Sequence, residues 1–200
     1  GRCVEASGSC RVMGPGKSLK TRAKELGLML ELPLLVVKIQ RGGPSTGLPT
    51  RTEQSDLLQA MYGRLGESPL PIVAAAAPSD CFEVVYEACR IATEHMTTVI
   101  VLSDGYIANG SEPWRFPEGE DLIPIKINFT DKTNNNGGVF LPYKRDENFV
   151  RPWVKPGVKG LEHRIGGLEK ENETGDISYD SENHELMVKL RQAKIDKIAD

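Results

Sequence analysis

Apolar residues along this chain keep a helical rhythm first. From Lys17 to Leu32 they recur as Leu19, Ala23, Leu26 and Leu30, which is one face of a helix, with Lys17, Lys20, Arg22 and Lys24 supplying the wet side. Pro33 ends that helix. Leu34 to Ile39 is then a short, nearly continuous apolar run, as expected of a strand covered on both faces. The alternation repeats twice. A helix carrying Leu57, Leu58, Met61 and Tyr62 stops near Gly63 and leads to a strand over Ile72 to Ala76. A helix with Cys81, Val84, Val85, Ala88, Cys89 and Ala92 on one face leads to a strand over Val99 to Leu102, closed by the turn Ser103-Asp104-Gly105. Ser79 is the expected cap of that last helix, with Asp80 and Glu83 in its first turn. Helix, strand, helix, strand, helix, strand predicts an α/β fold with a parallel sheet and right-handed crossovers.

After Glu112 the rhythm is lost. Prolines at 113, 117, 124, 142, 152 and 156 punctuate polar and Gly-rich stretches, with Trp114, Phe116, Phe129, Phe140, Tyr143 and Trp153 scattered among them. This reads as an irregular segment pinned by aromatics rather than a second core. Asp180 caps a final helix, Ser181 to Ile198, with Leu186, Leu190, Ala193 and Ile198 on its apolar side. The expected division is therefore an α/β unit over residues 1–111 and an extended Pro/aromatic segment ending in a helix over 112–200. Residues 1–16 show no period, and Gly14-Pro15-Gly16 is a turn signal.

Composition narrows the classes. The 200 residues carry a net charge of −3 and leave no electrostatic footprint for nucleic acid. No apolar run approaches the ~20 residues that span a bilayer. Cys3, Cys10, Cys81 and Cys89 form no C-x-x-C pair, so no metal or iron–sulfur motif is encoded. The sequons at Asn109, Asn128 and Asn172 read as chance matches, and the overall balance suggests a cytoplasmic protein.

The stretch with candidate chemistry lies between the first strand and the helix that follows it. Gln40 to Gln54 holds three glycines, two prolines, four hydroxyl side chains and two arginines. Gly43-Pro44-Ser45-Thr46-Gly47 matches G-x-S-x-G, but a nucleophile elbow needs a helix directly after the serine, and Gly47-Leu48-Pro49 intervenes. His95, His163 and His184 are the histidines available to such a serine. No lysine follows Gly47, so the loop is not a P-loop. A tight connection holding no ligand is the plain alternative. Arg41 stands apart. It ends a buried strand, and its guanidinium is a planar fork matched to a carboxylate. Gly42 and Gly43 leave room beside it. Thr50 and Glu53 form a capping-box pattern, which puts Thr50 at a helix N-terminus where free amides attract anions. Arg41 and Thr50 together make a plausible carboxylate clamp. Asp104, at the end of a neighbouring strand, is either a turn former or a residue facing the same crevice.

Gln40-Arg41-Gly42-Gly43-Pro44-Ser45-Thr46-Gly47-Leu48-Pro49-Thr50, continued by Thr52 to Leu58, resembles the long motif of the alpha subunit of 2-oxoacid:ferredoxin oxidoreductases. Val101 to Ala108, Leu161 to Lys170 and Tyr179 to His184 resemble later stretches of the same subunit, and the 2-oxoglutarate enzyme is the nearest match. The resemblance runs from about Gly14 to the end. It implies the pyrimidine-binding domain of a thiamine-diphosphate enzyme, incomplete at its N-terminus. It implies oxidative decarboxylation of a 2-oxoacid with coenzyme A, reducing ferredoxin. It implies that Arg41 and Thr50 contact the 2-oxoacid, with Gly42, Gly43, Ser45, Thr46 and Gly47 as the loop backbone. A partner beta subunit would hold the thiamine diphosphate, its Mg2+ and a 4Fe-4S cluster.

The departures point to a fragment. The family's Tyr-Pro-Ile-Thr-Pro motif and the glutamate that protonates the cofactor are absent, and Val12-Met13-Gly14-Pro15-Gly16 stands where Thr-Ser-Gly-Pro-Gly is usual. The expectation is a chain inactive by itself, with a non-catalytic assembly module as the alternative. Reading 2-oxoglutarate also needs a group for its distal carboxylate, for which His163, Arg151 and Arg145 are polar and unplaced.

Overall fold

A computed structural model describes residues 9–13, 21–45 and 47–199, the first of these segments by its backbone. Four parallel strands form the sheet: β1 (Ser9–Met13), β2 (Leu34–Gln40), β3 (Ile72–Ala74) and β4 (Thr98–Asp104), in the order β1-β2-β4-β3. The helices between them are α1 (Thr21–Leu30), α2 (Leu57–Tyr62) and α3 (Cys81–Glu94), and α4 (Ser181–Ala199) closes the chain. β1 falls where the sequence shows no period, and pairing to β2 decides its conformation.

The apolar runs explain the layers. Every residue of β4 is buried, as a central parallel strand requires. Val36, Ile100 and Leu102 meet Leu28 of α1 and Ala60 of α2 on one face of the sheet. Leu35, Val99 and Val101 meet Ala88, Ile91 and Ala92 of α3 on the other, where Ile198 of α4 joins them. The expected parallel α/β fold is the one observed.

The helices differ from expectation in detail. On α1 the buried positions are Lys24 and Leu28, while Ala23 and Leu26 face outward. Gly27 is the cause: a Cβ there would lie 2.8 Å from Thr98 Oγ1, so the helix lies close against the sheet along Lys24, Gly27 and Leu28. α3 starts from Asp80 rather than Ser79, whose amide instead donates to Glu112 Oε1. On α4, Asp180 Oδ2 accepts the Asn183 amide at 2.7 Å, which is the expected cap. The buried positions there are Met187 and Lys194, whereas Leu186 is exposed.

Lys194 is buried because it pairs with Glu31. α1 ends in a Schellman turn, with the Leu32 amide donating to Gly27 O at 3.1 Å and Glu31 at φ +51 in the position usually held by glycine. The Glu31 carboxylate takes Lys194 from α4 and Arg145 from the irregular segment. Burial opposes its ionisation, but Lys194 and Arg145 outweigh that and hold the carboxyl far below its usual range. The last carbonyls of α1 are satisfied by cations too: Lys170 donates to Met29 O, and Arg151 Nε to Leu30 O and Glu31 O.

Residues 112–180 are largely irregular, with a two-stranded parallel pair, β5 (Phe129–Thr130) and β6 (Trp153–Val154). Tyr143, Phe140 and Trp153 are the buried aromatics of this segment, while Trp114, Phe116 and Phe129 remain exposed. Among the described residues, no helix is long and apolar enough to cross a membrane.

Candidate functional site

β2 and β4 lie side by side in parallel, so their carboxyl ends share one edge of the sheet, the side on which open α/β sheets usually bind ligands. Gln40 and Asp104 are register partners there, and the Gly105 amide donates to Gln40 O at 3.1 Å. The Gly/Pro-rich loop starts from this point. Its limbs are closed by Gly42 N donating to Arg51 O at 2.9 Å and Leu48 N to Gly42 O at 2.6 Å. That closure brings the backbone just after Arg41 against the residue just after Thr50.

The glycines are needed as glycines. Gly43 and Gly47 have φ of +84 and +66, and a Cβ on Gly47 would stand 2.2 Å from Gly42 O. Ser45 and Thr50 also have positive φ, of 59 and 58. For residues with a Cβ that conformation costs on the order of 1–2 kcal/mol each. The loop therefore keeps its path because its surroundings impose it. Thr46 lies outside the described residues.

Arg41 is half-buried, and its Nε is buried without a hydrogen-bond partner among the described residues. A buried guanidinium N–H left open is a donor in want of an acceptor. Ser45 and Thr50 are exposed on the same loop.

Thr50 does not cap a helix. α2 begins only at Leu57, follows Asp56, and is six residues long. The left-handed φ of Thr50 is incompatible with an N-cap, and Glu53, expected to complete a capping box, instead accepts the Gly43 amide at 3.1 Å through Oε2. The anion-attracting helix terminus expected beside Thr50 is thus absent. The same delay removes the nucleophile elbow: among the described residues, the first helix after Ser45 starts only at Leu57.

Asp104 is the turn former. It is buried at the end of β4, accepts the Tyr106 and Ile107 amides at 2.7 and 3.1 Å, and takes Gln54 Nε2 at 2.6 Å. Burial pushes its carboxyl up, but the bonds from Gln54, Ile107 and Tyr106 outweigh that and hold it below the ordinary range. Sequence reasoning missed Lys38 and Gln40 beneath the loop. Lys38 Nζ lies 3.0 Å from Asp56 Oδ2, and Gln40 Oε1 accepts the Asp56 amide at 2.9 Å. The available signal was a lysine inside an apolar strand run.

The distal-carboxylate candidates fare worse. Arg145 is committed to Glu31 and Asn172, and Arg151 to the end of α1. His163 Nδ1 is 2.7 Å from Leu161 O, and its ring packs on Phe140. Among the described residues, no three His, Cys, Asp or Glu are grouped to hold a metal ion.

Residues 10–182 match the protein family described as "Pyruvate flavodoxin/ferredoxin oxidoreductase, thiamine diP-bdg", and the chain belongs to that family. Within it, the similarity is to alpha subunits. The chain is 60% identical over 194 residues to the 2-oxoglutarate oxidoreductase subunit KorA of Mycobacterium tuberculosis (strain ATCC 25618 / H37Rv), covering 96% of this chain and 29% of that protein. It is 31% identical to the 2-oxoglutarate synthase subunit KorA of Methanothermobacter marburgensis, covering 96% of this chain and 51% of that one. Among solved structures, the 2-oxoglutarate:ferredoxin oxidoreductase from Magnetococcus marinus with 2-oxoglutarate, coenzyme A and succinyl-CoA bound superposes with a TM-score of 0.86 at 35% identity, over 98% of this chain and 34% of that one. The chain thus spans between about a third and a half of the length of these relatives.

Proposed function

We propose that this chain forms the 2-oxoacid-reading part of the alpha subunit of a 2-oxoacid:ferredoxin oxidoreductase, with 2-oxoglutarate as the acid. Arg41 and Thr50 hold the carboxylate next to the keto group, Arg41 by charge and Thr50 by its hydroxyl. Decarboxylation releases carbon dioxide, the acyl group passes to coenzyme A to give succinyl-CoA, and the electron pair left behind reduces ferredoxin. Thiamine diphosphate supplies the carbanion chemistry. A beta subunit holds it with its Mg2+ and the 4Fe-4S cluster, and the present residues are inactive alone. A cytoplasmic setting belongs to the same reading.

The observation that carries this reading is the open Nε of Arg41, buried at the carboxyl end of a parallel strand in a loop whose glycines let its own limbs close on each other. The Magnetococcus marinus enzyme, similar over 98% of the chain, binds 2-oxoglutarate, which supports the choice of acid. A covering partner is supported by α2, which buries Ala60 and exposes Leu57, Leu58, Met61 and Tyr62 beside the loop.

The test joins this chain to the remaining alpha-subunit sequence of a close relative and a beta subunit, then follows viologen reduction by 2-oxoglutarate and coenzyme A. Arg41→Ala is expected to raise KM for 2-oxoglutarate by about 10- to 100-fold, the worth of a charged hydrogen bond. An unchanged KM overturns the role of Arg41. Capture of a beta subunit without turnover of any 2-oxoacid favours the assembly-module alternative.

A further inference from the structure

The loop from Arg41 to Asp56 holds its tip by its own backbone bonds but not its returning limb. Four of its residues, Gly43, Ser45, Gly47 and Thr50, sit at positive φ, and two of these carry a Cβ. Backbone hydrogen bonds close its tip between Gly42 and Arg51. They leave the returning limb, residues 52–56, without secondary structure. What fixes that limb is a set of side chains from the strand ends beneath it. Lys38, 5% exposed, reaches Asp56 Oδ2 at 3.0 Å. Gln40, two residues on and on the same side of β2, accepts the Asp56 amide. Across the register, Asp104 of β4 holds Gln54. Glu53, between them, reaches back to Gly43 on the outgoing limb.

Each of these choices works against simple packing. A lysine inside a strand run of Leu, Val and Ile is costly to bury and is tolerated where a carboxylate meets it. An aspartate at 1% exposure needs donors, and Gln54 completes the set that the turn amides begin. Both buried charges meet the limb that follows Thr50, Lys38 at Asp56 and Asp104 at Gln54.

We infer that Lys38, acting through Asp56, and Asp104, acting through Gln54, are positioning residues that set Thr50 against Arg41 and so fix the affinity of the site for the 2-oxoacid. Neither reaches the substrate; both define where the loop can stand. This rests on the reading of Arg41 and Thr50 as carboxylate contacts.

The experiment uses the assembled complex. Lys38→Met keeps length and apolar bulk but removes the ammonium, Lys38→Arg keeps the charge, and Gln54→Leu changes an exposed side chain with no part in the core. Lys38→Met and Gln54→Leu are expected to raise KM for 2-oxoglutarate about tenfold, the scale of a sub-ångström misplacement, with kcat changed far less. KM for coenzyme A and for ferredoxin stays at the wild-type value, and Lys38→Arg recovers most of the loss. Hydrogen exchange at the Gly43 and Asp56 amides accelerates in the same variants. Should Lys38→Met fail to fold, Gln54→Leu carries the same test. A KM raised in Arg41→Ala but flat in Lys38→Met and Gln54→Leu overturns the positioning role and leaves the carboxylate reading intact. A flat KM in Arg41→Ala overturns both.

Discussion

Two glycines separate conformation from contact. Gly66 and Gly47 share the left-handed region, at φ +55 and +66, but nothing lies within 4 Å of a Cβ built on Gly66, whereas one on Gly47 meets Gly42 O at 2.2 Å. Gly66→Ala should cost only the conformational penalty, about 1 kcal/mol by urea unfolding. Gly47→Ala should cost clearly more, because Gly42 O must move and the bond it accepts from Leu48 is lost. Amide exchange at Leu48 and Gly42 should then quicken while β4 amides keep their protection. Equal stability of the two variants would show that the loop yields without resistance. At this scale the sequence made part of the site legible. Gly and Pro declare a special backbone wherever they occur, and a strand-terminal arginine declares an unmet charge. Lys38 showed only as a lysine inside an apolar strand run, and Gln40, Gln54 and Asp56 declared nothing, because their roles depend on which strand lies beside which. Thr50 was misread as a helix cap because Thr-x-x-Glu carries the same letters whether or not the next residues wind.

Among the elements, the end of α1 is where local and distant structure meet. Glu31 takes a strained C-terminal position and is 6% exposed, yet it binds Lys194 of α4 and Arg145 of the irregular segment. Glu31→Gln would leave two buried cations facing a neutral amide. Loss of about 3–5 kcal/mol is expected, the usual result of breaking a buried pair from one side. Adding Lys194→Met should return part of that loss, since it removes one stranded charge. Glu185→Gln is the contrast: its pairing with Lys189 lies at the surface, and the unfolding midpoint should not move. If both single variants behave alike in chemical denaturation, Glu31 is not the junction described. Three of the four strands of the sheet were readable because apolar runs between helical rhythms survive in any context, whereas β1 shows no period and takes its conformation from pairing to β2. The rotation of α1 was not: it follows from Gly27 lying against Thr98, a contact between residues 71 positions apart.

The whole molecule is a sheet between two helical layers, with a long irregular segment bound to it by cations around one ring. Tyr143 is fully buried, and Lys170 Nζ lies 4.7 Å from its ring centroid, with Arg145 and Arg151 at 5.7 and 5.6 Å. The sequence showed prolines and aromatics there but gave no period, since such a segment is held by distant partners rather than by its own repeat. Lys170 makes this arrangement sensitive to alkali. Burial lowers its pKa to about 8 from 10.5; Glu31 pulls it upward and Arg145 adds to the fall. Between those two values the unfolded chain keeps a proton that the folded chain has released, so unfolding takes up a proton and stability rises with pH. The cost of holding a buried ammonium is fully present below pH 8 and is gone above 10.5, a difference of about 3 kcal/mol. Burial also lowers the pKa of Lys24 and Lys194, so the measurement is a comparison. Unfolding free energies of the wild-type chain and of Lys170→Met are taken from pH 7 to 10. The gap between them should shift in favour of the wild type as pH rises from 8 to 10, and should be flat from 7 to 7.5. A gap that stays constant across the series would mean that Lys170 titrates as a solvated lysine, and that the ring of Tyr143 and the carbonyl of Met29 do not hold it in the folded chain.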